Sequence, residues 1–344
     1  MTVTDQVDSR AWTTLDDINA LVEPELRAAV DRLPAAMRLV AGYQFGWWDA
    51  DGVPSQGVGG KGLRPALTVL SAACVGVPPQ VSVGAAVAVE LVHNFTLLHD
   101  DIMDGDELRR HRPSGWAAFG PPAALLAGDV LLVLATDVLA ERSGPNAVTA
   151  VRTLNAALFA LVDGQSADVA FERAPDVSLD ACLAMAAGKT AALMECACVL
   201  GAHVAGVRTD RTDHLGRFGH HLGLAFQLTD DLIGIWGDPT ATGKSVGADL
   251  RVRKKSLPVV AALRSPHPAA RRLRDFYVAD TPLTDADTAT MATLVDELGG
   301  RSWAEKAASH HLTEALAHLD AANPEADAAA DLTALAGLVD RRTR

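Results

Sequence analysis

The sequence has few aromatic residues and few cysteines, and each shortage narrows the class of fold. Aromatic residues make up 5% of the 344 residues, and tyrosine occurs only 2 times. Sandwiches and barrels draw on aromatic and β-branched side chains, so this composition disfavours an all-β fold. The four cysteines form no CxxC pair and lie in apolar segments. They are predicted to be buried free thiols, with a metal site at Cys196 and Cys198 as the alternative.

Excess positive charge and long uninterrupted apolar runs are also lacking. The formal net charge is −13 at pH 7, which disfavours nucleic-acid binding because phosphate recognition needs a domain-wide basic surface. The N-terminus has no apolar signal core, and Glu90, Asp129 and Asp137 interrupt the best candidate membrane spans. We therefore expect a cytoplasmic protein with no integral membrane segment.

Alanine and leucine at helical spacing fill most of the chain, and 49% of the residues are hydrophobic. No segment alternates as a strand does, and no hairpin turn separates two β-rich runs. We predict an all-α fold, a single domain over residues 1–344 built as a large bundle, with residues 1–12 flexible. The predicted helices cover residues 12–42, 63–75, 81–104, 121–142, 146–172, 178–206, 210–237, 256–263, 285–297, 300–320 and 325–341.

Two acidic clusters stand at the ends of apolar stretches, where an unpaired charge is costly. They read Asp100-Asp101-Ile-Met-Asp104 and Asp230-Asp231-Leu-Ile-Gly234. Like charges four apart on a helix repel by about 0.2–0.5 kcal/mol per pair, and a hard divalent cation is the simplest compensation. Either cluster alone is more typical of a solvated helix end, but basic residues follow both.

The basic residues form three groups that could bind diphosphate, since arginine binds phosphate bidentately and lysine supplies a point charge. The group that follows the first acidic cluster is Arg109, Arg110 and Arg112. The group that follows the second is Lys244, Arg251, Arg253, Lys254 and Lys255. The third group, in GGKGLRP, is Lys61 and Arg64. Each group alone is typical of a solvated surface. Acidic and basic groups together favour a metal–diphosphate site.

The ordered motifs resemble those of the isoprenyl diphosphate synthases, the trans-polyprenyl synthetases. HDDIMD with ELRR, and FQLTDD with TGKSVGADL and KKSLP, are similar to the two aspartate-rich regions of that family. GGKGLRP, ELVHNFTLLHDD, LAGD, GQSAD and GKT also follow in the family's order, over about residues 40–300. The resemblance implies the all-helical isoprenoid synthase bundle with a central cavity, usually a homodimer. It also implies a prenyltransferase that condenses isopentenyl diphosphate with an allylic diphosphate.

The resemblance further implies a role for each matching residue. Five carboxylates would bind about three Mg²⁺ ions per active site: Asp100, Asp101, Asp104, Asp230 and Asp231. Among them, Asp101 and Asp231 would act indirectly or through water. The diphosphate of isopentenyl diphosphate would be bound by Lys61, Arg64, His93 and Arg110. The allylic diphosphate would be neutralised by Arg109, Lys189, Lys244 and Lys254. Thr190 and Gln227 would lie against the reacting allyl group.

Residues one turn before Asp100 are predicted to set the length of the product. Phe95 and Thr96 would line the floor of the cavity, and in the family bulk at these positions stops elongation. An aromatic residue at 95, a small one at 96 and no insertion in DDIMD resemble the pattern for geranylgeranyl diphosphate, the C20 product. The alternative is that Phe95 is an ordinary core residue.

Two glycines depart from the family pattern. Gly62 follows Lys61 where many relatives have arginine, and we expect little consequence. Gly234 replaces the last aspartate of the second motif, which predicts weaker Mg²⁺ binding without loss of activity. Asp238, one turn further on, could partly substitute.

Two other functions remain open. A class I terpene cyclase on the same fold would ionise a diphosphate without taking isopentenyl diphosphate, although retention of Lys61, Arg64, His93 and Arg110 argues against it. A non-catalytic regulatory subunit of a synthase would tend to lose an acidic motif, and Gly234 is the only such change.

Two histidine pairs stand apart from these motifs. His220-His221 and His310-His311 look like metal-binding pairs, but adjacent residues on one helix do not face each other. We therefore expect surface or partly buried helix residues.

Overall fold

The computed structural model describes residues 3–55, 60–237, 246–279 and 281–341. Its helices are α1 (Val3–Val30), α2 (Ala35–Phe45), α3 (Leu63–Cys74), α4 (Pro79–Asp104), α5 (Gly115–Phe119), α6 (Pro121–Arg142), α7 (Ala147–Arg173), α8 (Leu179–Ala186), α9 (Ala192–Val204), α10 (Asp210–Trp236), α11 (Ala248–Arg251), α12 (Leu257–Leu263), α13 (Ala270–Val278), α14 (Asp285–Glu297), α15 (Gly300–Ala321) and α16 (Ala326–Arg341). A π-helical turn, Ala187–Ala191, joins α8 to α9. The predicted all-α fold is confirmed.

The helix boundaries differ from prediction mainly at the N-terminus. The helix predicted over residues 12–42 is two helices, because Pro34 precedes α2 with φ −54° and ψ 143° and the residue before a proline avoids helical geometry. Helix α1 starts at Val3, inside the segment expected to be flexible. The short helices α5, α11 and α13 were not predicted, and two of them are too short to show a helical period.

A short hairpin with two residues in each strand follows α4, and the prediction of no hairpin is wrong at this point. Strands β1 (Leu108–Arg109) and β2 (Arg112–Pro113) pair antiparallel, with Arg109 opposite Arg112. Arg110 and His111 form the turn with φ of 52° and 63°. Such turns usually carry Asn-Gly or Asp-Gly, so the sequence has no hairpin signal here.

The chain folds into two compact units. Unit 1 comprises Met1–Ala156, Leu193–Gly216 and Leu319–Leu335, and unit 2 comprises Ala157–Ala192, Arg217–His318 and Ala336–Arg344. Leu67, Leu91 and Leu131 are fully buried in unit 1, and Leu228 and Leu257 are fully buried in unit 2. Each unit therefore has its own apolar core, and a single domain over the whole chain stays a prediction.

The four cysteines are free and buried, as predicted. Burial raises the pKa of each thiol to about 12. At neutral pH the thiols are therefore protonated, and they behave as small apolar side chains.

Four helical stretches are long and apolar enough to cross a membrane by length and composition alone: Pro79–Asp104, Pro121–Arg142, Gly144–Arg173 and Leu179–Val204. In the first of these, 78% of the most apolar window is buried inside the protein. The apolar residues of α4 are thus already used in packing, mainly against α3 and α6.

Candidate active site

The first acidic cluster occupies the last turn of α4 in unit 1. The helix ends at Asp104, where Gly105 takes the left-handed conformation with φ 68°. Asp104 is exposed and Asp100 is half-buried, whereas Asp101 is fully buried. The helix therefore presents Asp100 and Asp104 on one face and turns Asp101 inward.

Asp101 is held by Arg109 of strand β1. Arg109 donates from Nε to both carboxylate oxygens at 2.8 Å and from Nη2 to Oδ1 at 2.5 Å. Burial raises the pKa of Asp101, and the hydrogen bonds from Arg109 oppose that rise. Such a bidentate pair fixes the hairpin against the end of α4.

The hairpin turn places Arg110 in a basic cluster of unit 1, which also contains Arg64 and surrounds the Glu90 carboxylate. A Cβ at Gly60 would lie 3.2 Å from Arg110 Nη2 and 3.4 Å from Glu90 Oε1, so both groups border the same backbone. Burial raises the pKa of Glu90, while Arg64, Asn94 and Arg110 lower it. Glu90 is thus a buried carboxylate near two guanidinium groups.

His93 contacts the same basic cluster. Its Nε2 lies 3.2 Å from Arg64 Nη1. Desolvation and the charges of Arg64, Arg110 and Arg109 hold the pKa of His93 well below its usual range. Because a guanidinium can only donate, the neutral His93 ring accepts this hydrogen bond and orients Arg64.

Lys61 and Gly62 precede α3. The Lys61 ammonium lies 5.1 Å from the ring centroid of Trp12. Gly62 has φ 68°, and a Cβ there would meet Asn19 Oδ1 at 2.0 Å. This left-handed backbone favours glycine, and the small functional consequence of this departure from the family pattern stays a prediction.

The two residues predicted to set product length lie at the buried middle of α4. Phe95 is 9% exposed, and its ring packs edge-on against His99 with centroids 4.9 Å apart. The Thr96 hydroxyl donates to the His93 carbonyl at 2.8 Å. Thr96 therefore satisfies its polar group within the helix.

In unit 2, the GKT motif forms the π-helical turn after α8. A Cβ at Gly188 would lie 2.6 Å from the Ala160 carbonyl, and one at Gly164 would lie 2.3 Å from the Lys189 nitrogen. The two glycines thus let this turn contact the backbone of α7 directly. The Lys189 ammonium reaches Asp168 Oδ2 at 2.6 Å. π-turns inside helices frequently mark functional sites.

A chain of hydrogen bonds joins this turn to the second acidic cluster. The Thr190 hydroxyl donates to Gln227 Oε1 at 2.5 Å, and Gln227 Nε2 donates to Asp231 Oδ1 at 2.8 Å. Asp231 Oδ2 accepts from the Leu257 nitrogen at 2.9 Å. Burial raises the pKa of Asp231 to about 6, with Lys254 opposing the rise. Asp230, its neighbour on α10, is half-buried.

The carboxylate of Asp249 on α11 lies beside Gly234, the glycine at the end of the second acidic cluster. A Cβ at Gly234 would be 2.3 Å from Asp249 Oδ2 and 2.6 Å from its Cγ. Lys254 Nζ is 3.9 Å from the same carboxylate oxygen. A carboxylate is therefore present beside Gly234, although it comes from a different element. Asp238 and Lys244 lie outside the described residues.

Several of the basic residues that follow the acidic clusters in sequence contact backbone carbonyls or another carboxylate of the protein. Arg112 donates to the Trp48 carbonyl, and Arg251 pairs with Asp285. Arg253 donates to two backbone carbonyls, and Lys255 donates to the carbonyls of α7 at Phe171 and Glu172.

Sequence reasoning assigned no role to Glu90, Asp168 or Asp249, although all three lie in the matching motifs. Glu90 and Asp168 are the acidic residues of ELVHN and GQSAD, and Asp249 is the acidic residue of GADL. Each contacts or lies beside a residue that was assigned a role. Only the spatial pairing identifies them.

The donor groups suit a hard divalent cation. Asp100 and Asp104 offer oxygen ligands to solvent, while the buried Asp101 is already engaged by Arg109. Mg²⁺ takes oxygen ligands and commonly completes its shell with water and phosphate. Asp100 and Asp104 in unit 1, and Asp230 in unit 2, are each carboxylates that could hold Mg²⁺.

Known proteins are similar to this chain in sequence and in fold. The polyprenyl synthetase family model matches residues 55–295. In Mycobacterium tuberculosis (strain ATCC 25618 / H37Rv), (2E,6E)-farnesyl diphosphate synthase is 45% identical over 315 residues, covering 91% of this chain and 88% of that protein. Geranylgeranyl diphosphate synthase of the same strain is 45% identical over 320 residues, covering 93% and 90%.

A solved structure agrees. The polyprenyl synthetase from Streptomyces coelicolor A3(2) superposes with a TM-score of 0.90 at 49% identity, over 95% of this chain and 98% of that one. This chain therefore belongs to the polyprenyl synthetase family and is a trans-prenyltransferase.

Proposed function

We propose that this protein condenses isopentenyl diphosphate with an allylic diphosphate and releases geranylgeranyl diphosphate. The observation that carries this proposal is the separate basic cluster of unit 1, in which His93 binds Arg64 and Glu90 lies beside Arg110. A cyclase that binds one diphosphate has no use for a second anion site. The bidentate geometry of arginine suits the diphosphate of isopentenyl diphosphate.

The resemblance assigns the remaining residues to the allylic substrate. Mg²⁺ held by Asp100 and Asp104, and a further Mg²⁺ held by Asp230, would neutralise the diphosphate and favour its departure. Lys189, Lys254 and Arg109 would add positive charge, with Lys189 held in place by Asp168. Lys244 is proposed for the same role.

The reaction breaks one C–O bond and forms one C–C bond. The allylic C–O bond breaks, and the diphosphate leaves with the electron pair. The double bond of isopentenyl diphosphate then attacks the allylic carbon and forms the C–C bond, which leaves a cationic centre on the isopentenyl unit. The carbon next to that centre loses a proton to the released diphosphate, and a double bond forms again. The Thr190 hydroxyl donates to Gln227 Oε1, and the dipoles of these two groups would stabilise cationic charge in a site that must exclude water.

Incubation of the purified protein with isopentenyl diphosphate, Mg²⁺ and dimethylallyl, geranyl or farnesyl diphosphate tests the function. We expect linear prenyl diphosphates that end at C20, identified by mass after dephosphorylation. Release of a hydrocarbon or cyclic alcohol would instead identify a cyclase, and absence of any product would identify a regulatory subunit.

The length of the product is proposed from Phe95. Relatives with the same 45% identity are named farnesyl and geranylgeranyl diphosphate synthase, so overall similarity does not distinguish C15 from C20. The buried Phe95 ring, one turn before Asp100, supports a limit on elongation.

The variant Phe95→Ala tests this assignment. Removing the ring opens space below the growing chain, so we expect products longer than those of the native protein at an unchanged total rate. Phe119→Ala removes a half-buried ring from α5 of unit 1 and serves as the control. An unchanged product distribution in Phe95→Ala would show that the ring is ordinary core.

We also propose that the enzyme is a cytoplasmic homodimer. Exposed apolar residues on α6 support an association surface: Leu126 is 55% and Val133 is 64% exposed. These residues are seven apart and so share one face of the helix.

A further inference from the structure

The two histidine pairs meet between helices α10 and α15 of unit 2. His221 Nδ1 and His311 Nδ1 are 2.9 Å apart, which is a hydrogen bond. The ring of His318 stacks on His221 with centroids 5.6 Å apart. The ring centroids lie 5.6 Å apart within His220-His221 and 5.5 Å apart within His310-His311, and one member of each pair also contacts the other helix.

Glu314 completes a set of metal-ligand types at this place. One ligand atom each from His221, Glu314 and His318 lies within 4.8 Å of the others. His311, Glu314 and His318 follow one another at spacings of three and four, so they occupy one face of α15. All four side chains are partly buried.

We propose that His221, Glu314 and His318 bind a divalent transition metal ion, with Zn²⁺ as the probe. Two imidazoles and a carboxylate suit Zn²⁺, and they leave a fourth tetrahedral position for water. Ligands about 2 Å from zinc lie about 3.4 Å from one another, so a side-chain adjustment of about 1 Å closes the site.

His311 is the positioning residue of this site. Its hydrogen bond to His221 Nδ1 fixes the tautomer and orientation of that ring and directs Nε2 to the metal.

This site is distinct from the carboxylates of the second acidic cluster. His221 precedes Asp230 by nine residues on α10, which is about 13 Å along the axis and about half a turn around it. One ion cannot be shared over that separation. The ion would join α10 to α15 and stabilise unit 2.

Zn²⁺ titration of the full-length protein tests the proposal. The protein is stripped with a chelator and titrated with Zn²⁺ against a chromophoric chelator in excess Mg²⁺, which occupies oxygen-only sites. We expect one Zn²⁺ per chain and a higher Tm in the native protein and in His267→Ala, a control at an exposed histidine. The double variant His221→Ala/His318→Ala should lose this binding and the Tm increase.

Two further variants keep the test independent of folding. Glu314→Gln retains the shape of the side chain and should weaken Zn²⁺ binding, and His311→Ala should weaken it about tenfold or more. Bound Co²⁺ should give the strong visible absorption of a tetrahedral site in the native protein and in His267→Ala, and the double variant should lack it. Equal Zn²⁺ affinity in the native protein, Glu314→Gln and the double variant would overturn the proposal.

Discussion

At the scale of single residues, buried and partly buried carboxylates determine where basic side chains lie. Asp101 is fully buried and engages Arg109, and the partly buried Asp168 engages Lys189. An unpaired charge left in such a place costs more than the pair contributes, because the remaining partner keeps its desolvation cost. Neighbouring carboxylates of one motif therefore have different functions: Asp101 positions the hairpin, while Asp100 and Asp104 face solvent.

The variant Asp101→Asn should reduce stability by about 2 kcal/mol, since it removes a charged partner from Arg109. Asp104→Asn is the control, because it makes the same change at an exposed residue three positions on. The free energy of unfolding, measured with urea in the absence of Mg²⁺, should fall for the first variant alone. Equal losses would contradict the assigned role of Asp101.

Gly234 shows a different constraint on a single residue. The sequence predicts weaker Mg²⁺ binding because an aspartate is missing, but the Asp249 carboxylate lies where a side chain at 234 would start. The glycine therefore makes room for a carboxylate from another element.

The variant Gly234→Asp should consequently not improve Mg²⁺ binding, because the new side chain displaces Asp249 and adds like charge. Gly234→Ala tests the steric effect without the added charge. Helix propensity alone would stabilise this variant by about 1 kcal/mol, but we expect a lower Tm because the new Cβ would overlap the Asp249 carboxylate. Calorimetric titration with Mg²⁺ and inorganic diphosphate measures binding. Tighter binding in Gly234→Asp would contradict this explanation.

At the scale of elements, close backbone approach positions the side chains of unit 2 that are proposed to act on the allylic substrate. Gly164 of α7 and Gly188 of the π-turn meet with no room for a Cβ. This approach brings Lys189 to Asp168, and the turn directs Thr190 to Gln227.

The variant Gly188→Ala should therefore destabilise the protein by about 2 kcal/mol, as overpacking does, and reduce turnover. At Gly216 the nearest atom to a new Cβ is a methyl group of Val199 at 3.0 Å. Gly216→Ala is thus the control, with an expected change within about 1 kcal/mol. Thermal unfolding of both variants checks the difference, and equal Tm values would refute it.

At the scale of the whole molecule, the proposed homodimer accounts for apolar residues that α6 leaves exposed. Contiguous exposed apolar residues on one helix face commonly mark association surfaces.

The variant Val133→Asp should shift the protein from dimer to monomer in analytical ultracentrifugation, because a charge at the centre of an apolar interface remains unpaired. Val278→Asp places the same charge at a valine that is 81% exposed on α13. It should leave the oligomeric state unchanged. A dimer that persists in Val133→Asp at micromolar concentration would place the interface elsewhere.

The sequence by itself determined most of the helices and the motif residues. Helix-forming segments, with the glycine and proline residues that bound most of them, placed α3, α4, α6 and α10 within a few residues of their bounds. The order of the acidic and basic motifs indicated the family. Both signals are local in sequence, so a single chain displays them.

The tertiary structure alone decided which distant residues meet. Nothing local indicates that Asp249 lies beside Gly234, that Asp168 pairs with Lys189, or that His221 hydrogen-bonds His311. A hairpin turn of arginine and histidine likewise has no local signal. These pairings depend on how helices pack against one another, which periodicity along one helix does not specify.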